Sequence, residues 1–400
     1  MGIDVFSVVI YTSTFLVCTL CFHLSDSSKK WKQLLFGGAA VLILCLLAGF
    51  RDDSIGRDIK VYVENYYTAF CGVRSYTQAL KLVGFTQLEP FYILLLFVTS
   101  RFTRDLWLIL FSLQLLTVLP VYLAVLKWRR EMHISVGFAM AIYILVFYNN
   151  SYNIMRQSIS CAFIFLGTTY LLFLRKQKSG FMLKPSGKEY KSAEFFIAVA
   201  SYFAAYGFHK SALIGIALVV LAFLLKDIPK WMFFAIPAGI IAVLYFLKAA
   251  FTIILKHFAL PSSFVYYINV FIFQKERTEW MLDHYTNALL FDMLFRTVVC
   301  VLPFVLLPKY NKKEYYVRVL TLLGYVGYLI PWLTMKTIYG QRISMYADFF
   351  LIASLPYLLT RKIKPGYVVA MVSYVVLTGY WFIWIMIVKW ADANVYRFRF

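Results

Sequence analysis

Long apolar runs separated by short polar segments dominate the hydrophobicity pattern of this chain. A helix needs roughly 20 mostly apolar residues to cross a bilayer, and most runs approach that length. The pattern therefore predicts an all-α fold: a polytopic helical membrane protein with about 12 to 13 membrane segments, in a single domain covering residues 1–400. The apolar runs lie at 3–22, 33–50, 106–126, 136–148, 159–174, 194–208, 212–225, 231–250, 288–307, 319–338, 345–359 and 367–388.

Composition agrees with a membrane protein, since 62% of the 400 residues are hydrophobic, against about half or less in a soluble domain. Aromatic residues make up 19%, which supplies rings for membrane interfaces and for stacking against sugars or lipid. The first run has no basic region before it and no small-residue cleavage site after it. We interpret it as a retained span rather than a signal peptide.

The net charge of +21 comes from lysines and arginines that lie in short blocks between the apolar runs. Such blocks mark the cytoplasmic side and contact anionic lipid, so they do not indicate nucleic-acid binding. The first block, residues 29–32, places the N-terminus outside. The same rule predicts an outer loop at 51–88, a cytoplasmic loop at 175–193 and a second outer loop at 251–287.

The apolar run at residues 91–99 is too short to cross as an ordinary span. If it crosses as a tilted helix that extends to Phe102, the basic block at 127–130 lies outside, against the positive-inside rule. If it is re-entrant, this block lies inside and every later loop follows the rule. We therefore expect the re-entrant arrangement.

Residues that the positive-inside rule does not explain gather on the predicted outer face. Both signs of charge crowd into the segment RDDSIGRDIKVY, which follows the second span. Charge beside lipid is costly, so this segment is either a solvated loop that begins at a helix end or part of a functional site. A mixed set of this kind indicates a polar cavity that opens outward. Its members are Arg51, Asp52, Asp53, Arg57, Asp58, Glu89, Arg156, His209 and Arg342.

The residue types in this set suggest two kinds of chemistry. Arg51, Arg156 and Arg342 each lie at a span boundary, and a guanidinium is a planar, permanently charged donor that suits phosphate or pyrophosphate. His209 lies in a tight turn, and an imidazole can take a proton from a sugar hydroxyl near neutral pH.

The carboxylates leave more alternatives open. Asp52, Asp53 and Asp58 could act as general bases, as metal ligands or as partners of the neighbouring arginines. Glu89 precedes a proline at a predicted helix start, where it either stabilises the helix N-terminus or points into the cavity. No His, Cys and Asp spacing supports a metal, and no ATPase, serine hydrolase or zinc protease motif occurs, so we expect no metal and no cofactor.

Five short motifs, in this order, resemble the EpsG-type branch of the Wzy family, the bacterial membrane polymerases of capsule, exopolysaccharide and O-antigen repeats. Together they cover most of the chain. Arg57 departs from the family's usual first motif, which has a small residue between the glycine and the aspartate. The motifs are GFRDDSIGRDIKVY (49–62), LEPFYILL (88–95), SYNIMRQSIS (151–160), FHKSAL (208–213) and GQRISMY (340–346).

The resemblance implies a multi-pass glycosyltransferase of the bacterial inner (cytoplasmic) membrane that works on the periplasmic or outer face. Its substrates would be oligosaccharide repeats on undecaprenyl pyrophosphate, so neither nucleotide nor metal would be required. Arg51, Arg156 and Arg342 would hold the pyrophosphate. His209 or one aspartate of the charged segment would be the base. The lipid bilayer, and a chain-length regulator and a flippase of the same pathway, would be its partners.

Other classes of membrane protein would also use a basic, aromatic-lined cavity. A flippase or exporter should show access from both faces and often internal repeats, which this sequence lacks. An O-antigen ligase-like enzyme shares the donor chemistry and differs only in the acceptor. A membrane O-acetyltransferase would need an acyl donor from the cytoplasmic side, and no motif indicates one.

Overall fold

The computed structural model describes residues 3–56, 58–84, 88–174, 192–225, 315–333 and 338–399, with parts of 235–257 and 291–299. Within these residues the chain is mostly helical, and the one β-type pairing is an isolated antiparallel bridge between Arg51 and Phe398. The helices are α1 (Val5–Leu24), α2 (Lys30–Gly49), α3 (Asn65–Cys71), α4 (Tyr76–Val83), α5 (Pro90–Thr99), α6 (Trp107–Met132), α7 (Val136–Ile142), α8 (Met155–Phe173), α9 (Ser192–Phe208), α10 (Ala212–Leu225), α11 (Tyr315–Leu333), α12 (Ile338–Asp348), α13 (Leu351–Lys362) and α14 (Gly366–Trp381).

Four helices in the described part of the chain, α1, α2, α6 and α14, are long and apolar enough to cross a membrane. A fifth span results if α12 and α13 count as one broken helix. The predicted class, an all-α polytopic membrane protein, is confirmed. The predicted runs at 231–250 and 288–307 lie largely outside the described residues, so the number of membrane segments stays a prediction.

Residues 1–217 and 352–400 form one compact unit. In it α2 and α6 run antiparallel. The Tyr122 hydroxyl donates to the Gln33 carbonyl at 2.9 Å near one end, while the rings of Phe50 and Trp107 stack at 5.9 Å near the other. Residues 50–107 therefore leave and re-enter the bundle at the same end. We call this the Glu89 end, after Glu89, which lies in this segment.

The opposite end of the unit carries its own buried ion pairs, and we call it the Lys127 end. The Lys127 ammonium lies 2.9 Å from Glu194 and 3.1 Å from Glu131. Nearby, the Arg129 guanidinium donates to Asp26 at 2.5 Å. The basic blocks at residues 29–32 and 127–130 therefore share one end, as the positive-inside rule requires of loops on one side of a membrane.

Helix α5 does not carry the chain from one end to the other. Its 10 residues span only about 15 Å at 1.5 Å per residue. The helix ends at Thr99, before Phe102, and the chain re-enters the bundle at α6. This geometry agrees with the re-entrant arrangement, which stays a prediction.

Helices α3, α4 and α5 pack on the Glu89 end around an apolar cluster. Tyr67 and Phe70 of α3 contact the face of α5 that carries Leu96, and the cluster continues onto Leu110 of α6. A π-helical turn, Ile59–Glu64, leads into α3 and presents the side chain of Tyr62. The polar outer segment predicted from the sequence is thus a small helical layer with its own core.

Residues 218–351 form a second compact unit. Here α11 and α12 pack together, and the Arg296 guanidinium donates to Asp292 at 2.8 Å and also pairs with Asp348. Arg342 lies within α12, whereas the sequence predicted a loop at this position. The predicted loops at 175–193 and 251–287 lie almost entirely outside the described residues.

Candidate functional site

Glu89 occupies the position just before α5, where local sequence fixes the backbone. Its φ and ψ of −78° and 148° are extended, and Pro90 takes the first helical position, which suits a residue without a backbone N–H. The carboxylate makes no cap to the α5 backbone. It turns instead into the protein, and the residue is only 5% exposed. Glu89 therefore does not cap the helix by its side chain, and its predicted place in an outward-opening cavity stays a prediction.

The two carboxylate oxygens of Glu89 join residues from distant parts of the chain. Oε2 accepts from Arg156 Nη1 at 2.5 Å. Oε1 lies 2.9 Å from His209 Nδ1 and accepts the Lys210 backbone N–H at 3.3 Å. Helices α5, α8 and α9 therefore meet at one buried carboxylate. We call Glu89, Arg156 and His209 the Glu89 cluster.

The cluster holds Glu89 in its ionised form. Burial by itself raises the pKa of this carboxyl, but the hydrogen bond from His209 and the charge of Arg156 oppose burial and prevail, so the pKa falls to about 2. At neutral pH Glu89 is thus an anion with fixed partners. This state suits a residue that orients its neighbours better than one that accepts a proton.

Arg156 lies in the first turn of α8, with 14% of its side chain exposed. Its guanidinium lies over the Tyr62 ring, 4.5 Å from the centroid, and 5.4 Å from the centroid of Tyr92. The Tyr92 hydroxyl donates to the Tyr62 carbonyl at 3.0 Å, which ties the two rings together. Glu89 and the two rings thus fix the orientation of a guanidinium that remains partly accessible.

His209 follows the last turn of α9 and has 27% of its side chain exposed. Because the Glu89 carboxylate can only accept, its contact with Nδ1 favours the tautomer in which Nδ1 carries the proton. In the part of the chain that the structure describes, Nε2 makes no hydrogen bond. A base must offer an unprotonated nitrogen, and this orientation supplies one at Nε2.

Arg51 has a different environment from Arg156. It is 1% exposed, and its guanidinium donates to the carbonyls of Ala48 at 2.7 Å and Ile55 at 3.2 Å. It also lies 4.1 Å from the centroid of the Tyr152 ring and 3.7 Å from the Met155 sulfur. The guanidinium donates to the backbone in this structure, and the contact with pyrophosphate that the sequence predicted stays a prediction.

The charged segment that begins at Arg51 rests on the turn before α8. Gly56 has φ of +99°, a conformation that favours glycine, and a Cβ at this position would lie 2.5 Å from the Tyr152 carbonyl oxygen. This close approach explains why glycine is required. The segment and the turn that carries Tyr152 therefore hold each other in place.

The aspartates of this segment make local contacts. Asp52 accepts the backbone N–H of Ser54 at 2.9 Å and its hydroxyl at 2.5 Å, and these bonds lower the Asp52 pKa. Asp53 pairs with Arg399 at 2.7 Å. Burial raises the pKa of Asp53, although the Arg399 charge opposes the shift. Asp58 directly precedes the turn that carries Tyr62, and Arg57 lies outside the described residues.

Arg342 belongs to the second unit and is exposed on α12. Its role in binding pyrophosphate therefore stays a prediction. Within the described residues, no three His, Cys, Asp or Glu side chains come together as a metal site would require. The expectation that the protein works without a metal also stays a prediction.

The sequence model of the EpsG family matches residues 34–399, which is most of the chain. The chain belongs to the EpsG family. EpsG proteins are Wzy-type polysaccharide polymerases, so the resemblance identified from the five motifs is confirmed. No curated protein matches the sequence, and no solved structure does. This EpsG protein is thus a multi-pass membrane protein of a polysaccharide polymerase family.

The sequence did not single out two tyrosines at the site. Tyr62 closes the first motif and Tyr92 lies in the second, LEPFYILL, so both stood inside segments already chosen for their charges. The only available signal was that each tyrosine follows charged residues within a few positions. What the sequence lacked was any indication that both rings pack on the guanidinium of Arg156.

Proposed function

We propose that this EpsG protein polymerises oligosaccharide repeats carried on undecaprenyl pyrophosphate, and that the Glu89 cluster is its reaction site. The hydroxyl at the non-reducing end of one repeat attacks the anomeric carbon of the growing chain. A new glycosidic C–O bond forms while the bond from that carbon to pyrophosphate oxygen breaks. The lipid pyrophosphate leaves with the electron pair, and the hydroxyl proton passes to a base.

Arg156 is the residue we assign to the leaving pyrophosphate. A guanidinium carries five N–H donors, and the pair with Glu89 engages Nη1. Donors held in a fixed orientation stabilise the negative charge that develops on the departing phosphate without reorganisation at the moment of reaction. The stacking of Arg156 on Tyr62 and Tyr92 provides that fixed orientation.

His209 is the residue we assign to proton removal. Glu89 holds Nδ1, which leaves Nε2 to accept the proton of the acceptor hydroxyl. As the imidazole becomes cationic, the neighbouring carboxylate stabilises it. The aspartates are not assigned this role, because Asp52 closes a turn and Asp53 pairs with Arg399.

One observation carries this proposal. A single buried carboxylate holds a guanidinium on one oxygen and an imidazole on the other, so the group suited to the leaving phosphate and the group suited to the attacking hydroxyl are neighbours. Glycosyl transfer from a pyrophosphate donor needs these two functions side by side. No nucleotide is needed, because the donor brings its own pyrophosphate leaving group.

The arrangement of charge supports the outer face of the inner membrane as the location of the reaction. The basic blocks at residues 29–32 and 127–130 lie at the Lys127 end, and the positive-inside rule assigns such blocks to the cytoplasm. The Glu89 end would then face outward, where the lipid-linked repeats are joined.

The test is reconstitution of the purified protein in liposomes with a lipid-pyrophosphate-linked repeat, without nucleotide and with a metal chelator. We expect a ladder of longer lipid-linked products on a gel. Arg156→Ala should remove the ladder, while Arg104→Ala, which alters an exposed arginine at the same end, should retain it. Products that stay one repeat long, with the lipid moved across the bilayer, would instead identify a transporter.

A further inference from the structure

A short extended segment, residues 396–399, pairs with the chain that leaves α2. Arg51 and Phe398 form the antiparallel bridge. The Asp52 backbone N–H donates to the Arg397 carbonyl at 2.9 Å, and the Arg399 N–H donates to the Phe50 carbonyl at 3.0 Å. We call residues 396–399 the strap.

The strap is anchored to the helices beneath it. The Tyr396 hydroxyl donates to the Leu47 carbonyl at 2.8 Å, and the Tyr396 backbone N–H donates to the Ser7 hydroxyl at 2.5 Å. The Tyr396 ring packs edge-on against the rings of Tyr11 and Phe398, with centroid distances of 5.4 Å and 5.2 Å. The strap therefore connects the start of α1 with the end of α2.

Arg399 adds a charged contact to this pairing. Its Nη1 lies 2.7 Å from Asp53, and its Nε lies 2.8 Å from Asp105. Asp53 belongs to the charged segment after α2, whereas Asp105 lies just before α6. One guanidinium thus bridges the two points at which residues 50–107 leave and re-enter the bundle.

A continuous series of contacts leads from the strap to Arg156. The strap holds the charged segment, and Gly56 of that segment lies against the Tyr152 carbonyl. Arg51, bridged to the strap, contacts Met155, which directly precedes Arg156. Each step is a direct contact between packed groups, so a shift of the charged segment displaces the first turn of α8.

We propose that Arg399 is a positioning residue, which fixes the charged segment and through it the orientation of Arg156. This inference rests on the proposed function of the Glu89 cluster. Arg399 acts through other residues and does not contact the reacting groups. A displacement of about 1 Å at a reaction site can cost roughly 100-fold in rate, so loss of one anchor is expected to be measurable.

The test compares Arg399→Gln with Arg397→Gln in the reconstituted elongation assay. Both variants remove one positive charge from the strap, but the Arg397 side chain is exposed and contributes only its carbonyl to the pairing. We expect Arg399→Gln to lower kcat about 10-fold with KM for the lipid-linked donor within about twofold. Arg397→Gln should match the unaltered protein, and Arg399→Lys should recover part of the rate.

Asp53→Asn breaks the same ion pair from its other side, so this variant alone keeps the inference falsifiable if Arg399→Gln accumulates poorly, and the two variants together form a double-mutant cycle. If the ion pair transmits the effect, the fold loss of kcat in the double variant will be smaller than the product of the fold losses in Asp53→Asn and Arg399→Gln. Equal losses in Arg399→Gln and Arg397→Gln, or a fully multiplicative cycle, would overturn the positioning role. A ladder that persists in Arg156→Ala would overturn the proposed function instead.

Discussion

Arg51 and Arg156 offer a comparison between two guanidiniums that both lie over tyrosine rings at the same end of the protein. Arg51 lies over Tyr152 and donates to two backbone carbonyls. Arg156 lies over Tyr62 and pairs with the Glu89 carboxylate. The first side chain is fully buried, whereas the second keeps 14% of its surface exposed.

The difference shows how partners determine what a buried arginine can do. Carbonyls at the end of α2 and in the following turn need donors, and Arg51 satisfies them, so removing it would leave buried acceptors unpaired. Glu89 instead balances the charge of Arg156 and holds His209 beside it. We therefore expect Arg51 to determine stability and Arg156 to determine rate.

The largest expected effect separates these two arginines. Arg156→Ala should lower the elongation rate about 100- to 1,000-fold, since it removes a donor aimed at developing charge. Arg51→Met should chiefly reduce the amount of folded protein, because each buried carbonyl that it leaves unpaired costs about 1–3 kcal/mol. The measurements are ladder formation per folded molecule and the melting temperature in detergent.

Exposed Arg104→Ala is the control for both variants, and it should change neither rate nor melting temperature. The comparison fails if the folded fraction of Arg51→Met elongates at a rate as low as that of Arg156→Ala. In that case Arg51 would contact the substrate in a rearranged state of the segment, and the distinction drawn from burial would be wrong.

The next effect concerns the base. His209→Ala should lower kcat about 100-fold, within the range that general base catalysis supplies, and added imidazole should restore part of the rate. Arg156→Ala should gain nothing from imidazole, which makes it the matched control. A normal rate in His209→Ala would remove the histidine from the mechanism and return the carboxylates of the charged segment to consideration.

Most described helices could be predicted from sequence because membrane spans depend on long apolar runs. The run at 212–225 coincides with α10, and that at 367–388 with α14 and its π-helical extension to within a residue. The topology of the run at 91–99 was harder to predict. The run is short for a membrane span, and only the charge of the later loops favoured the re-entrant arrangement over a tilted crossing helix. The contact of Phe50 with Trp107 favours the re-entrant arrangement.

The site was predicted less completely, because a sequence shows charges without their partners. Glu89, Arg156 and His209 were all selected, but nothing in the sequence paired residues that are 67 and 120 positions apart. The sequence assigns Arg51 to pyrophosphate because it does not show that this side chain is buried. The burial of Arg51 beside the turn at Tyr152 results from tertiary packing. The pairing of the strap with the charged segment depends equally on the packing of distant segments.

A smaller effect on the elongation rate is expected at Gly56, where the charged segment that begins at Arg51 contacts the turn before Arg156. Gly56→Ala places a Cβ 2.5 Å from the Tyr152 carbonyl oxygen at φ of +99°, so either the charged segment or the turn before α8 must move. We expect about a 10-fold loss of rate through displacement of Arg156, together with a lower melting temperature. Gly84→Ala is the control, since Gly84 also has positive φ but meets nothing within 4 Å.

This control separates strain from collision. Both substitutions force a side chain into a backbone conformation with positive φ, which costs of order 1–3 kcal/mol, but only the one at Gly56 also collides with the turn that precedes Arg156. Equal losses of rate in the two variants would show that strain alone lowers activity. The contact between the charged segment and α8 would then have no special role.

The smallest expected effect is on stability at low pH. The pKa of Glu89 lies at about 2, below its ordinary value of 4.5, so the ionised carboxylate stabilises the fold above pH 4.5. This contribution falls as the pH drops from 4.5 towards 2, where protonation weakens the pairs with Arg156 and His209. Glu89→Gln lacks that titration, so the difference in melting temperature between the unaltered protein and this variant should shrink across the same range. A constant difference would show that the Glu89 charge does not stabilise the cluster, and Arg156 would then owe its orientation to the two tyrosine rings alone.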